Sequence, residues 1–202
     1  MKYPEAIQKI IDRLSELPTV GPKTAERYAL FLLRQPNQWL NELAQDLSRL
    51  KNDVKRCSVC HNLSASDPCL ICQDNRRDRG LLCVVSETKD LLAIENSKSY
   101  NGLYHILGGT INAVNNLGPE NLSIKTLLDK LKTNTDIKEV ILALNPDFEG
   151  EATCLYLLKT FKQHTLNQKI SRLAKGLPTG ASVEYADQST LGNALKYRNK
   201  IT

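Results

Sequence analysis

The stretch EVILALNPDFEGEATCLYLLKTF, residues 139–161, sets the fold class of this 202-residue chain. Residues 140–144 of this stretch form a continuous apolar run, which is typical of a strand buried on both faces of a parallel sheet. A polar turn follows, and residues 151–161 then repeat apolar side chains at helical spacing. A strand that leads directly into a helix is the unit from which α/β domains with parallel sheets are built.

The same alternation of strand and helix extends on both sides of this unit. Further apolar runs predict three more strands, at residues 81–85, 104–107 and 170–174. Helical spacing of apolar residues predicts two more helices, at residues 89–95 and 122–131. We therefore predict an α/β domain with a largely parallel sheet over residues 80–175. Residues 176–202 form a C-terminal segment, for which we expect a short edge strand at 183–185 and a last helix through Lys196 that Asp187 caps.

Residues 1–55 instead carry three helical stripes of apolar residues. The first two stripes are joined by PTVGP, residues 18–22, which has no place inside a helix. We expect Gly21 to adopt a backbone geometry that other residues avoid. The second helix begins with free N–H groups, and Lys23 and Arg27 lie on it one turn apart. Together these groups would bind a phosphate of a nucleic-acid backbone without reading its sequence. An ordinary helical hairpin with two exposed basic residues is the alternative.

Residues 56–79 are polar and lack periodicity, so this segment cannot bury a core of its own. They contain two CxxC pairs separated by eight residues: Cys57 with Cys60, and Cys69 with Cys72. Four thiolates brought together by two such turns form a tetrahedron that suits zinc. Because four protein ligands leave no open position, we expect one structural Zn²⁺ per chain, with His61 outside the ligand set.

The composition excludes some classes of protein and leaves others open. No apolar run approaches the roughly 20 residues of a membrane-spanning helix. The N-terminus lacks the apolar stretch of a secretory signal, so a cytoplasmic location without a membrane partner is expected. The formal net charge of +5 permits nucleic-acid binding but does not demand it.

Acidic residues follow two of the predicted strands, at the edge where functional groups of α/β sheets gather. They are Glu87, Asp147, Glu149 and Glu151. Such a cluster would hold magnesium for phosphoryl-transfer chemistry. However, the neutral Asn145 begins the second group, and no convincing nucleophile accompanies it. A protein-binding rim and a solvated loop are the alternatives.

These motifs resemble known families. LPTVGPKTA, residues 17–25, resembles the helix–hairpin–helix motif of non-specific DNA-binding proteins, which usually has glycine where this chain has Thr19. The half that begins at residue 80 looks like a Toprim domain, with Glu87 and NPDFEGE at the positions of its acidic signature and Asn145 in place of its first aspartate. The order of motifs, together with YHILGG, LGPENL and residues 170–195, resembles the RecR family of bacterial recombination mediators along nearly the whole chain.

This resemblance implies a non-enzymatic protein that acts in recombinational DNA repair with RecO and RecF, helping to load recombinase at single-strand gaps. It implies a tetrameric ring, a dimer of dimers that encircles DNA, at the bacterial nucleoid. Gly21, Lys23 and Arg27 would then contact DNA. The four acidic residues would contact RecO, and the C-terminal segment would pack between subunits. A magnesium-dependent Toprim nuclease or primase is the main alternative, and a sequence-reading zinc module is another.

Overall fold

The computed structural model describes residues 3–199, which divide into two compact units between Asp53 and Val54. The first unit consists of three helices: α1 (Glu5–Ser15), α2 (Pro22–Leu33) and α3 (Asn37–Asp53). The second unit contains a cysteine-rich element, a parallel sheet with its helices and a C-terminal segment. Among the described residues, no helix combines the length and the apolar character that crossing a membrane requires.

The core of the helical unit is small. Ile11 of α1 packs against Ala25 and Ala29 of α2, and a few partly buried side chains surround them. The third helix has the predicted apolar stripe, but none of its 17 residues is buried. Leu47 and Leu50 on that stripe are 64% and 59% exposed. At the start of the stripe, the ring of Trp39 meets that of Phe31 of α2 edge to face at 6.3 Å. The rest of the apolar face of this amphipathic helix is largely exposed.

The second unit begins with the cysteine-rich element, which we define as residues 55–73. It contains a short antiparallel pair, β1 (Lys55–Arg56) and β2 (Leu63–Ser64), and a single helical turn, α4 (Leu70–Gln73). Its buried residues are three cysteines and the polar Asn62, and the partly buried Ile71 packs against the cysteines. As expected from its composition, the element buries almost no hydrocarbon of its own.

The sheet confirms the predicted α/β class. Four parallel strands, in the order β4-β3-β5-β6, form it: β3 (Asp78–Val85), β4 (Gly102–Ile106), β5 (Glu139–Ala143) and β6 (Lys169–Arg172). Three helices connect these strands: α5 (Thr88–Ser97), α6 (Ile124–Thr133) and α7 (Phe148–Gln163). The central strands β3 and β5 are the two that carry continuous apolar runs.

Both faces of the sheet are covered, which is why those runs do not alternate with polar residues. Leu82 and Val84 of β3 belong to the core formed with α6 and α7. Cys83 and Val85, on the opposite face of the same strand, pack with Leu91 of α5. Successive residues of a strand face opposite sides, so one strand contributes to both cores.

The C-terminal segment corrects one expectation. Its last helix, α8 (Gln188–Lys196), is present, and Asp187 caps it by accepting hydrogen bonds from the N–H groups of Ser189 and Thr190, each at 2.9 Å. The predicted edge strand at 183–185 is wrong, because Val183–Tyr185 forms a turn of 3₁₀-helix. Valine and tyrosine favour strands only where a neighbouring edge accepts them, and this turn pairs with no strand among residues 3–199.

Candidate metal centre and nucleic-acid interface

The four sulfurs of Cys57, Cys60, Cys69 and Cys72 lie within 4.8 Å of one another. Two sulfur–sulfur distances are 3.9 Å, between Cys57 and Cys72, and 3.5 Å, between Cys60 and Cys69. A tetrahedral zinc ion with zinc–sulfur bonds of about 2.3 Å requires sulfur–sulfur distances of about 3.8 Å. The donor set and its spacing therefore fit zinc.

Backbone hydrogen bonds within the cysteine-rich element bring these sulfurs together. In the first CxxC turn, the N–H of Cys57 donates to the carbonyl of Asn62 at 2.8 Å, and the N–H of His61 donates to that of Cys57 at 2.9 Å. The N–H of Cys69 approaches the sulfur of Cys57 at 3.3 Å. Asp67 accepts hydrogen bonds from the backbone and the hydroxyl of Ser58, at 2.7 and 2.9 Å, and thereby ties the two pairs together.

The thiols respond unequally to this crowding. Hydrogen bonding from Cys72 lowers the pKa of Cys60 to about 5, although burial opposes the shift. Burial raises the pKa of Cys69 to about 11. Without metal, the cluster therefore favours a thiolate at Cys60 and a protonated thiol at Cys69. A bound zinc ion would convert all four to thiolates, because the metal binds only the deprotonated sulfur.

His61 lies beside the cysteines but faces the sheet domain, by which we mean the four parallel strands together with helices α5, α6 and α7. Its Nε2 is 2.9 Å from the hydroxyl of Thr126, and its ring meets His105 edge to face at 5.1 Å. The N–H of Ile106 donates to the carbonyl of Cys60 at 2.9 Å, which joins the element to edge strand β4. The metal-capable group comprises the four cysteines without His61.

The first two turns of α2 place two cationic side chains in solvent. Lys23 and Arg27 are exposed, and within residues 3–199 neither forms an ion pair. No side chain caps α2. The N–H of Thr24 is occupied by the carbonyl of Gly21 at 3.0 Å, so fewer free N–H groups remain at this helix start than its position alone predicts.

The expected backbone role of Gly21 is wrong. Gly21 has φ −80°, an extended conformation open to any residue, and a Cβ there would meet nothing within 4 Å. Thr19 takes the left-handed conformation instead, with φ 67°. A β-branched residue is strained in that region. Thr19 is also the position at which the resembled motif usually has glycine, so the departure in sequence coincides with the strained residue.

The acidic residues at the sheet edge are engaged separately. Glu87 precedes α5 and forms an ion pair with Lys89 at 2.8 Å. Asp147 caps α7 by accepting a hydrogen bond from the N–H of Gly150 at 2.8 Å. Glu149 makes only a long contact of 3.5 Å with the amide of Asn112.

Glu151 is held by two cations. Lys175 contacts its carboxylate at 2.5 Å and Arg172 at 3.2 Å, and these contacts, Lys175 first, lower the pKa of Glu151. Arg172 also reaches the hydroxyl of Tyr197 at 3.2 Å. The four acids therefore form no metal-capable cluster; in the described part of the chain, the cysteines alone do.

Sequence reasoning missed the residues that act across large separations. Lys175 and Arg172 neutralise Glu151 from more than 20 positions away, and Lys130 reaches the first CxxC pair from 71 positions away. Contacts between residues so far apart in the sequence leave no local sequence pattern that predicts them. The strain at Thr19 did carry a signal, namely the absence of glycine at that position in the hairpin motif.

Comparison with known families agrees with the order of these parts. The model described as RecR, helix-hairpin-helix matches residues 7–51, and that for the four-cysteine zinc finger domain of RecR matches residues 54–74. The Toprim domain model matches residues 80–174, and the RecR C-terminal model matches residues 176–199.

Full-length relatives give the same result. A protein named Recombination protein RecR from Tropheryma whipplei is 44% identical over 199 residues, which cover 98% of this chain and 99% of the relative. A protein of the same name from Bifidobacterium animalis subsp. lactis is 45% identical over 201 residues, covering 100% and 99% of the two chains.

Proposed function

The chain belongs to the RecR family of recombination proteins, and from this premise we propose that it is a non-enzymatic, sequence-independent DNA-binding mediator. It would act in recombinational DNA repair with RecO and RecF, and help to load recombinase at single-strand gaps. Its place would be the bacterial cytoplasm, at the nucleoid, because its substrate is chromosomal DNA.

The observation that carries this proposal is the free positive charge at the hairpin. Lys23 and Arg27 are exposed and unpaired within residues 3–53, one helical turn apart beside an uncapped helix start. Cations and N–H groups in this arrangement suit a phosphate diester. Contacts to phosphate position a protein on DNA without reading bases, which fits a mediator that must act at any gap. Gly21 would serve by keeping the turn free of a side chain.

A ring of copies is the second part of the proposal. A tetramer formed by two dimers repeats a weak phosphate site around the DNA, so the modest net charge of +5 suffices. The exposed part of the apolar stripe on α3, with Leu47 and Leu50, supports an assembly of this kind, since a second copy of the chain would cover it. The C-terminal segment offers further apolar surface, with Tyr185 84% and Leu195 67% exposed.

The zinc ion is proposed as a structural group, one per chain. All four donors come from the protein, and three of the four cysteines are buried. Its binding free energy would fold residues 55–73, which lack an apolar core. An open coordination position for catalysis is not part of this donor set.

We assign the contact with RecO to the acidic rim of Glu87, Asp147, Glu149 and Glu151. Of these four carboxylates, that of Glu149 makes the weakest contacts within the chain, and its neighbour Phe148 is 86% exposed. An exposed aromatic ring beside a free carboxylate suits a partner with basic and apolar residues. Alanine at these positions should weaken RecO binding and leave DNA binding intact.

A magnesium-dependent nuclease or primase is not favoured. That chemistry needs several carboxylates converging on the metal, whereas Glu87 pairs with Lys89 and Glu151 with Lys175 and Arg172. Asn145 supplies no charge.

The test is to measure the binding of two unrelated DNA sequences by fluorescence anisotropy, and then to incubate the labelled DNA with the protein and magnesium. We expect dissociation constants within about threefold of each other, because phosphate contacts dominate, and intact DNA. A strong preference for one sequence would contradict the proposal. So would a cleavage product that disappears in the Glu87→Gln variant.

A further inference from the structure

Lys130 of α6 extends from the sheet domain into the cysteine-rich element. Its Nζ donates a hydrogen bond to the carbonyl of Val59 at 2.5 Å. Val59 lies inside the first CxxC turn, between Cys57 and Cys60. The side chain of Lys130 is half-buried, and together with Cys72 it lines a crevice of about 320 Å³ between the element and the sheet domain.

No carboxylate balances this lysine from the sheet domain. Its neighbour there is His105, whose Nδ1 lies 3.5 Å from the ammonium. The Nε2 of His105 faces the carbonyl of Ser123 at 2.9 Å, so Nε2 carries the ring proton and Nδ1 presents a lone pair to Lys130. Burial lowers the pKa of His105 to about 3, so the ring is neutral. Within residues 3–199, Lys130 forms no ion pair with an acid.

The cysteines are the anionic groups that act on Lys130. Burial lowers the pKa of Lys130, and the thiols of Cys60, Cys72 and Cys57, when ionised, act in the opposite direction. Four thiolates around Zn²⁺ leave two negative charges in excess, in a site that is largely shielded from water. A shielded charge is costly unless an opposite charge lies close to it. The positive charge of Lys130 and the negative charge of the metal centre therefore balance each other.

We propose that Lys130 is the counter-ion of the zinc–thiolate centre and fastens the cysteine-rich element to the sheet domain while the metal is bound. The metal then has a second effect beyond folding its own loop. Loss of zinc lowers the excess negative charge beside the ammonium, so the charged link between α6 and the element weakens.

Two other lysines on the same helix provide matched controls. Lys125 and Lys132 are exposed, and neither makes a hydrogen bond to the element in the described structure. A substitution at Lys132 removes the same charge from the same helix without touching the metal centre.

The first test compares the zinc affinity of full-length Lys130→Gln and Lys132→Gln proteins by competition with a chromogenic chelator. Glutamine retains an N–H donor for the Val59 carbonyl, so its effect reports the lost charge. We expect affinity at least about 10-fold weaker for Lys130→Gln, the usual scale for an outer-shell partner of a metal, and less than twofold for Lys132→Gln. A Lys130→Gln protein that holds zinc as tightly as the wild type would overturn the proposal.

The second test needs no variant. The wild-type chain, with zinc or after chelation, is treated briefly with acetic anhydride, and acetylation is measured at each lysine by peptide mass spectrometry. We expect Lys130 to be protected with zinc and to react severalfold more after zinc removal, while Lys132 reacts equally in both forms. Equal labelling of Lys130 in the two forms would overturn the proposal.

Discussion

The helical unit, residues 3–53, and the unit described from residue 54 to residue 199 treat their charges and their apolar surface in opposite ways. The first buries only Ile11, Ala25 and Ala29, leaves most of the apolar stripe on α3 exposed, and keeps Lys23 and Arg27 unpaired. The second buries two layers of side chains around its sheet and pairs most of the charges at its functional edge within the chain.

This difference bears on where external partners would bind. The unpaired cations and the exposed part of the α3 stripe, which our proposal assigns to DNA and to further copies of the protein, lie in the first unit. The second unit buries a core on both faces of its sheet, but it also exposes apolar side chains, at Phe148 beside Glu149 and at Tyr185 and Leu195 of the C-terminal segment.

The largest expected effect is the loss of the metal centre. Cys57→Ser should reduce the zinc content from about one per chain to near zero, because three thiolates hold the ion far less tightly. The cysteine-rich element should unfold, at a cost of several kcal/mol to the second unit. Metal analysis and hydrogen exchange measure the two effects.

The same experiment tests the independence of the two units. Hydrogen exchange in α1 and α2 should stay as in the wild type. Cys83→Ser, which replaces a cysteine of the sheet core, is the control and should retain zinc. Unchanged metal content in Cys57→Ser would contradict the four-thiolate site.

A charge on the stripe of α3 should dissociate the assembly. Leu47→Glu places a carboxylate on a surface that a second copy would cover, and burying an unpaired charge is costly. We expect the mass measured by light scattering to fall at least twofold. Gln45→Glu, which adds the same charge to the polar face of the helix, should leave the mass unchanged. If both variants assemble like the wild type, α3 lies outside the interface.

Removing a paired charge from the second unit should have a smaller effect. Glu151→Gln breaks the contacts with Lys175 and Arg172, and for such partly exposed pairs the loss is about 1 kcal/mol. Glu149→Gln, in the same helical turn but without an ion pair, should cost less. Urea unfolding of the two variants gives the comparison, and equal stability would mean that the ion pairs around Glu151 contribute nothing.

The pH dependence of this contribution has a definite sign. The pKa of Glu151 is lowered in the folded protein, chiefly by Lys175, so its contribution is fully present above the ordinary glutamate range. It is lost as the pH falls through the lower, folded-state value. The stability difference between wild type and Glu151→Gln should therefore shrink as the solution is acidified.

The smallest expected effect is a gain in stability in the first unit. Thr19→Gly relieves the left-handed strain at φ 67°, and after the higher entropy of unfolded glycine is subtracted, about 0.5 kcal/mol should remain. Thr19→Ala keeps a Cβ and should gain less. A glycine variant that is less stable than the wild type in urea would contradict the assignment of strain to Thr19.

The sequence predicted features that depend on local spacing. Apolar runs marked β3 and β5, and the two CxxC pairs marked the metal site, because each needs only a few residues in order. It did not predict which charges would pair. Lys130 and Lys175 meet their partners only after the chain folds, and a turn such as Val183–Tyr185 depends on whether a sheet edge lies within reach.

The most direct test of the account is the salt dependence of DNA binding. The double variant Lys23→Ala/Arg27→Ala is compared with Lys9→Ala/Arg13→Ala, which removes two cations that already pair with Glu5 and Glu16 in or beside α1. We predict at least about 10-fold weaker binding for the first variant on any DNA sequence, with a shallower dependence of log affinity on log salt, and little change for the second. Equal affinities and equal salt slopes for the two variants would contradict the assignment of DNA binding to the hairpin.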